Sequence, residues 1–284
     1  MSRPAVVTTV ADLRAHLKPW RQAGERIALV PTMGALHAGH ISLVQIGHAR
    51  AERVVTSIFV NPKQFAPTED LATYPRDFDG DLEKLAAAGV DLVFAPEAGE
   101  MYPEGEATVV TVGGPSAGLE SDARPHFFAG VATVVTKLLI QCAPDVAIFG
   151  EKDFQQLAVI RTLTRDLALP TEIVAGATMR EPDGLAMSSR NLYLGKEDRR
   201  RATALSAALA AAGEAIEDGA PADAALISAR RAIEAAGFTI DYVELRDAET
   251  LSASTRPGKP RRLLAAARIG GVRLIDNIAV AAVE

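Results

Sequence analysis

Short, largely apolar runs alternate with helical patterns through the first half of this chain, and that alternation limits the fold more than any other feature. The runs are RIALV (26–30), RVVTSIFV (53–60), VDLVF (90–94), DVAIF (145–149) and TEIVA (171–175). Each is β-branched, strand-sized and lacks the polar alternation of a strand with one wet face. Helical patterns fall between most of them. HISLVQIGHARA (40–51) repeats at helical spacing through Ile41, Val44, Gly47 and His48. DFDGDLEKLAAAG (77–89) opens on acids and stops at Gly89, as helix-end electrostatics and capping prefer. VATVVTKLLIQ and DFQQLAVIRTLTRDL continue the series. Continuous apolar strands interleaved with helices predict an α/β fold with a doubly wound parallel sheet covered on both faces.

The texture changes near residue 180. EPDGLAMSSRNLYLGKED (181–198) is a turn-rich joint, followed by two Ala-rich helices at roughly 197–217 and 221–236. TIDYVELRD, RRLLAAARIG and VRLIDNIAV then read as strands parted by Gly and Pro turns. Helices followed by consecutive strands predict a smaller C-terminal α+β domain with an antiparallel sheet. The expected division is 1–178 and 179–284.

Composition removes several classes. Thirty basic against 36 acidic residues leave a net charge of −6, without the basic surplus of a nucleic-acid binder. DRRRA (198–202) and GKPRRLLAAAR (258–268) are short and flanked by acids or apolar residues, so they read as solvated structure. Cys142 is the single cysteine, so no intrachain disulfide and no cysteine-based zinc site can form. Its apolar neighbours favour a buried structural thiol. The N-terminus lacks a signal-peptide core, and no apolar run approaches the ~20 residues that cross a bilayer. A cytoplasmic protein with no membrane partner is expected.

In open parallel sheets ligands bind beyond the carboxyl ends of strands. That rule picks out PTMGALHAGH after the first predicted strand, NPKQF after the second and GEKDFQQ after VAIF. If a helix begins near Gly39, then His37 and His40 flank its N-terminus, where free N–H groups and the macrodipole favour an anion. Gly34 and Gly39 would let the backbone approach a ligand. A metal site would need further ligands that are not local; a plain surface turn is the other alternative. Lys152 and Asp153 fall at a strand-to-helix turn, where a lysine can act as a point charge on phosphate, with Gln155 and Gln156 opening the helix. DGLAMSSRN (183–191) puts Ser188, Ser189 and Arg190 at the joint, able to close over a triphosphate. The chain has no G-x-x-x-x-G-K-[ST] P-loop and no G-x-G-x-x-G fingerprint.

PTMGALHAGH resembles the HxGH signature of the nucleotidyltransferase superfamily. With FVNPKQF, YPRDFDGDLEKL, FGEKDFQQL and DGLAMSSRNLYL in order, residues 25–195 resemble the pantothenate synthetase (pantoate–β-alanine ligase) family. The resemblance implies a Rossmann-like nucleotidyltransferase domain with a C-terminal lid. It implies a two-step reaction: (R)-pantoate and ATP, with Mg²⁺, give pantoyl adenylate and pyrophosphate. The amine of β-alanine then displaces AMP. It also implies a homodimer. Met33, Gly34, Ala35, Leu36, His37, Ala38, Gly39 and His40 would form the ATP loop, with His40 at the family's proton-donor position. Gly150, Glu151, Lys152 and Asp153 would contact ATP, as would Met179, Met187, Ser188, Ser189 and Arg190. Asn61, Gln64 and Gln156, with Met33, would hold pantoate, and Asp81 would contribute to the Mg²⁺ environment.

The family pattern R-P-G-H-F-x-G is altered to RPHFFAG at 124–130, so Phe127 stands where histidine is usual and His126 where glycine is usual. Phe154 replaces a common Tyr. Two other readings use the same residues: an aminoacyl-tRNA synthetase-like adenylyl transferase, which the acidic charge and missing anticodon-binding module oppose, and a nucleotide-binding regulator that has lost catalysis.

Overall fold

The computed structural model describes residues 3–67, 69–253 and 258–282. They fall into two compact units. One holds the chain up to Val112, Arg124–Glu151 and Val159–Ala177; the other holds Gly113–Ala123, Lys152–Ala158 and the chain from Thr178.

In the first unit, six strands form one sheet among the described residues: β1 (Ala5–Val7), β2 (Ile27–Thr32), β3 (Arg53–Ile58), β4 (Leu92–Phe94), β5 (Val146–Gly150) and β6 (Glu172–Gly176). Their order is β1-β4-β3-β2-β5-β6, and every pairing is parallel. The expected apolar runs are the four central strands and the edge strand β6: Ala28, Val30, Val54, Val93, Val146 and Ile148 are buried in one core. Strand β1 was not among them. It is three residues long with only Val7 buried, an edge strand whose apolar stretch, Ala5–Val7, is too short to stand out.

In chain order the first seven helices are α1 (Val10–Gln22), α2 (Ala38–His48), α3 (Phe78–Ala87), α4 (Ala98–Met101), α5 (Glu120–Ala123), α6 (Phe127–Cys142) and α7 (Phe154–Asp166), of which α5 and the start of α7 belong to the second unit. Thr9 caps α1 by accepting from the Asp12 amide, and Asp77 caps α3 by accepting from the Gly80 amide at 3.1 Å. Chain order runs outward from β2 through β3 and β4, then returns to β5 on the other side of β2. Between β2 and β5 the winding reverses, and the crevice beyond their carboxyl ends is the position where such sheets take ligands. The loop that leaves β2 there is residues 33–37.

The second unit is an antiparallel sheet, β7 (Thr239–Asp247), β8 (Arg261–Ile269) and β9 (Val272–Val280), in that order. Helices α8 (Lys196–Arg201), α9 (Thr203–Glu217) and α10 (Ala222–Ala235) complete it, with Leu205, Leu209, Ile216 and Ile233 packed on Leu263, Ala265 and Leu274. The single long helix expected from 197 is thus two, parted at Ala202. Arg273 grips Glu120 through two hydrogen bonds of 2.7 and 2.8 Å, and Tyr242 donates to the same carboxylate at 2.8 Å. The buried amide of Gln155 donates to the carbonyls of Pro115 and Gly118 and accepts from the Glu120 amide. These bonds secure the early segment 113–123 in this unit. Among the described residues no helix is long and apolar enough to cross a membrane. Cys142 is buried, which pushes its thiol up to about 12 and leaves it inert, as its apolar setting predicts.

Candidate active site

The β2 loop is built on unusual backbone. Gly34 and Ala35 both have positive φ, 85° and 50°, a region that costs an alanine roughly 1–2 kcal/mol. What holds it is Asp81, fully buried in the first turn of α3. One carboxylate oxygen accepts from the Ala35 amide and the other from the Leu36 amide, both at 2.7 Å. Leu82 and Leu85 anchor α3 in the core beneath. The Gly34 amide turns back to Thr32 Oγ1 at 3.3 Å, and Thr32 in turn donates to the Ser57 carbonyl.

The Asp81 carboxylate, expected in the Mg²⁺ environment, is here engaged by the backbone. Both oxygens already serve backbone N–H donors, and 1% exposure leaves no approach for a hydrated cation. No group of three or more His, Cys, Asp or Glu able to hold a metal occurs among the described residues. Asp81 therefore fits a loop clamp.

Helix α2 begins at Ala38, with His37 as its N-cap. His37 Nδ1 accepts from the Gly39 amide at 3.1 Å, and His40 Nδ1 accepts from the His37 amide at 3.2 Å. The three-residue spacing of the histidines is thus that of a capping box written with imidazoles. It has a chemical result. Nδ1 can accept only when it is unprotonated, so both rings are held as the tautomer whose proton is on Nε2. The rings lie 4.1 Å apart, tilted by 51°, at the N-terminus of α2.

The second cluster follows β3. Asn61 caps a 3₁₀ turn, Pro62–Gln64, by accepting from the Lys63 amide. Its side-chain nitrogen donates to Gln64 Oε1 and to the Gly130 carbonyl, both at 3.1 Å. Gln64 Nε2 in turn reaches Met33 Sδ at 3.0 Å, joining this cluster to the β2 loop. Arg124 is buried, donates to the Gln64 carbonyl at 3.0 Å and pairs with Glu69. Burial pushes the Glu69 carboxyl up, but its bonds with Arg124 and the Ala66 amide outweigh this and leave it below the usual range. Phe127, at the family's histidine position, lies under the Arg124 guanidinium at 3.9 Å and against Phe128. His126 is exposed and makes no cap bond to α6.

Gly150 ends β5 at the switch point. Lys152 and Asp153 lie in the second unit, their charged groups 3.9 Å apart, and the Lys152 carbonyl accepts from Asn277 at 2.8 Å. Phe154 is buried under the Arg262 guanidinium. Gln156 is half-exposed, whereas its neighbour Gln155 is buried in the structural network above. The segment 179–191 is a staple. Met187 pairs with Met179 and Glu181 with Leu185 through backbone bonds, and Arg180 closes on Asp276 at 2.7 and 2.9 Å. Ser188 caps the 3₁₀ turn Ser189–Tyr193 that carries Arg190. Tyr102, which donates to Asn61 Oδ1 at 2.6 Å, was not anticipated from the sequence.

A profile of the pantoate-beta-alanine ligase family matches residues 5–279. Pantothenate synthetases of Caulobacter vibrioides and Mesorhizobium japonicum are 54% and 56% identical, over 99% of this chain and 100% and 99% of theirs. The crystal structure of pantothenate synthetase from Thermus thermophilus superposes with a TM-score of 0.90 at 46% identity, covering 96% of this chain and 98% of that one. The pantoate-beta-alanine ligase of Francisella tularensis, crystallised with a β,γ-ATP compound and β-alanine, gives 0.81 at 32% identity over 97% of both chains. The chain belongs to the pantoate–β-alanine ligase family.

Proposed function

We infer that this chain joins (R)-pantoate to β-alanine at the expense of ATP, through a pantoyl adenylate. Family membership over nearly the whole length supports the reaction, and one observation carries the site: the Asp81-clamped loop that ends in two imidazoles with fixed Nε2–H donors. In the first step a pantoate carboxylate oxygen attacks the α-phosphorus and pyrophosphate leaves with the bonding pair. In the second, the β-alanine amine attacks the acyl carbon, AMP leaves and the amine loses a proton.

His37 and His40 are proposed to donate from Nε2 to phosphate oxygens, which gain charge in the first transition state. Met33–His40 and Gly150–Asp153 would line the nucleotide. Lys152 would supply a point charge to its phosphates, and Met179, Met187, Ser188, Ser189 and Arg190 further contacts; these roles rest on the motif resemblance. Gln64, with its Nε2 donor, Asn61 and Gln156 would hold pantoate. Mg²⁺ would enter with ATP, ligated by phosphate oxygens and water. The ATP requirement supports a cytoplasmic setting, and the family likeness a homodimer, which sedimentation tests.

The decisive experiment is ATP–pyrophosphate exchange with purified protein and no β-alanine. Exchange should require pantoate. Exchange without pantoate, or only with another acid, would overturn the substrate; no exchange with any acid would favour a regulator. His40→Ala and Lys152→Ala should each lower pantoate-dependent exchange on the order of 100-fold, with thermal denaturation little changed. Normal exchange in either variant would refute that residue's role.

A further inference from the structure

Tyr102 lies just after α4, 41 residues beyond Asn61, and its hydroxyl makes the shortest hydrogen bond that Asn61 has, 2.6 Å to Oδ1. The direction of every bond around it can be assigned. The Lys63 amide can only donate and the Gly130 carbonyl can only accept, so Asn61 must present oxygen to the first and nitrogen to the second. Asn61 Oδ1 is therefore an acceptor, and the Tyr102 hydroxyl is the donor. The remaining Asn61 N–H then requires Gln64 to turn its oxygen inward. That leaves the Gln64 Nε2 donors on the side of Met33. Three side chains thus form a directional relay whose outer end is the donor group proposed to hold pantoate.

The tyrosine is itself held from all sides. Met101 before it is fully buried, and its ring meets Phe59 at 6.1 Å. The Lys63 and Lys137 ammonium groups lie 4.3 and 5.5 Å from its ring centre, both paired with Glu106. These are cation–π contacts, and they need the ring but not the hydroxyl. Burial, reinforced by the Glu106 charge, raises the phenol well above its ordinary value, so it remains a donor across the working pH range.

We propose that Tyr102 is a positioning residue for pantoate: its hydroxyl pins the Asn61 amide, which in turn fixes Gln64 with its Nε2 donors facing the substrate. The inference rests on the reading of Gln64 as a pantoate contact. It gives Tyr102 a role separate from packing, because the ring and the hydroxyl have different partners.

Tyr102→Phe separates them. It keeps the ring and both cation contacts, and leaves Asn61 Oδ1 with the longer 3.2 Å bond from Lys63. In pantoate-dependent pyrophosphate exchange, Tyr102→Phe should raise the pantoate KM about 10-fold, with the ATP KM and the thermal midpoint unchanged. Gln64→Ala alone should raise the pantoate KM at least as far, and adding Tyr102→Phe to Gln64→Ala should change it no further. An unchanged pantoate KM in Tyr102→Phe, beside a raised one in Gln64→Ala, would overturn the relay and leave the Gln64 reading intact. Effects that multiply in the double variant would overturn it too, since Tyr102 would then act by another route. Equal losses for ATP and pantoate, or a lowered midpoint, would reduce Tyr102 to a structural residue. No effect of Gln64→Ala would overturn the Gln64 reading itself, and the relay's role with it.

Discussion

Asp81→Ala should abolish most adenylation while leaving both sheets folded. The variant removes the carboxylate that satisfies the Ala35 and Leu36 amides. A hydrogen bond to a charged partner contributes about 1.5–3 kcal/mol, so two together hold the loop by roughly 3–6 kcal/mol. Against them stands the left-handed backbone at Ala35, which relaxes as soon as the clamp goes. Water entering the space left by the carboxylate would recover part of the loss, so a net loss of about 2–4 kcal/mol is expected. It should fall mainly on the loop rather than on the sheet, because Leu82 and Leu85 keep α3 seated. Pyrophosphate exchange should drop on the order of 100-fold, with the ATP KM raised and the far-ultraviolet dichroism preserved. Exchange within a few-fold of the parent would show that the loop keeps its shape without Asp81.

The same position distinguishes a clamp from a metal ligand. Asp81→Asn keeps the shape but turns an NH₂ group toward one of the two backbone donors, so it should lose much of the activity as well. Its half-saturating Mg²⁺ at fixed ATP should equal that of the parent. A markedly raised Mg²⁺ requirement would restore Asp81 as a ligand and refute the clamp as its sole task.

Parts of this arrangement were legible in the sequence because they are local. Strands buried on both faces read as continuous apolar runs, and β2, β3, β4 and β5 each lie on one, as does the less buried edge strand β6. The histidines could be placed at a helix start, since capping is decided within four residues. Their tautomers could not, because these depend on which backbone amides the rings meet. Asp81 reads locally as an acid in a first helical turn, and its partners lie 45 and 46 residues earlier. Tyr102 and Arg124 support Asn61 and Gln64 across 41 and 60 residues, distances at which no spacing rule operates. Of the two adjacent glutamines, 155 and 156, burial alone separates the structural one from the candidate ligand.

Gly130→Ala should be strongly harmful, although helix propensity alone points the other way. Gly130 sits in the first turn of α6, and replacing a helical glycine by alanine ordinarily gains about 1 kcal/mol. Here the added Cβ would stand 2.2 Å from the Lys63 carbonyl oxygen and 2.8 Å from the Gln64 nitrogen. Both are backbone atoms, so no rotamer change relieves the collision. The turn Pro62–Gln64 must withdraw by roughly 1 Å, taking Gln64 with it and stretching the Asn61 bond to the Gly130 carbonyl. Overpacking of this kind costs about 1–3 kcal/mol or more, which outweighs the propensity gain. A net loss of about 1–2 kcal/mol is expected in urea denaturation. The pantoate KM should rise at least about 10-fold, since a misplacement of about 1 Å near the substrate can cost more than that in rate. Gly213→Ala is the matched control. Gly213 is also buried in a helix, but its new Cβ would meet the Ile278 Cδ1 methyl at 2.7 Å, the far end of a flexible side chain. That variant should be near neutral in stability and normal for pantoate. If the two variants behaved alike, close packing of α6 on the 3₁₀ turn would not be what holds Gln64 in place.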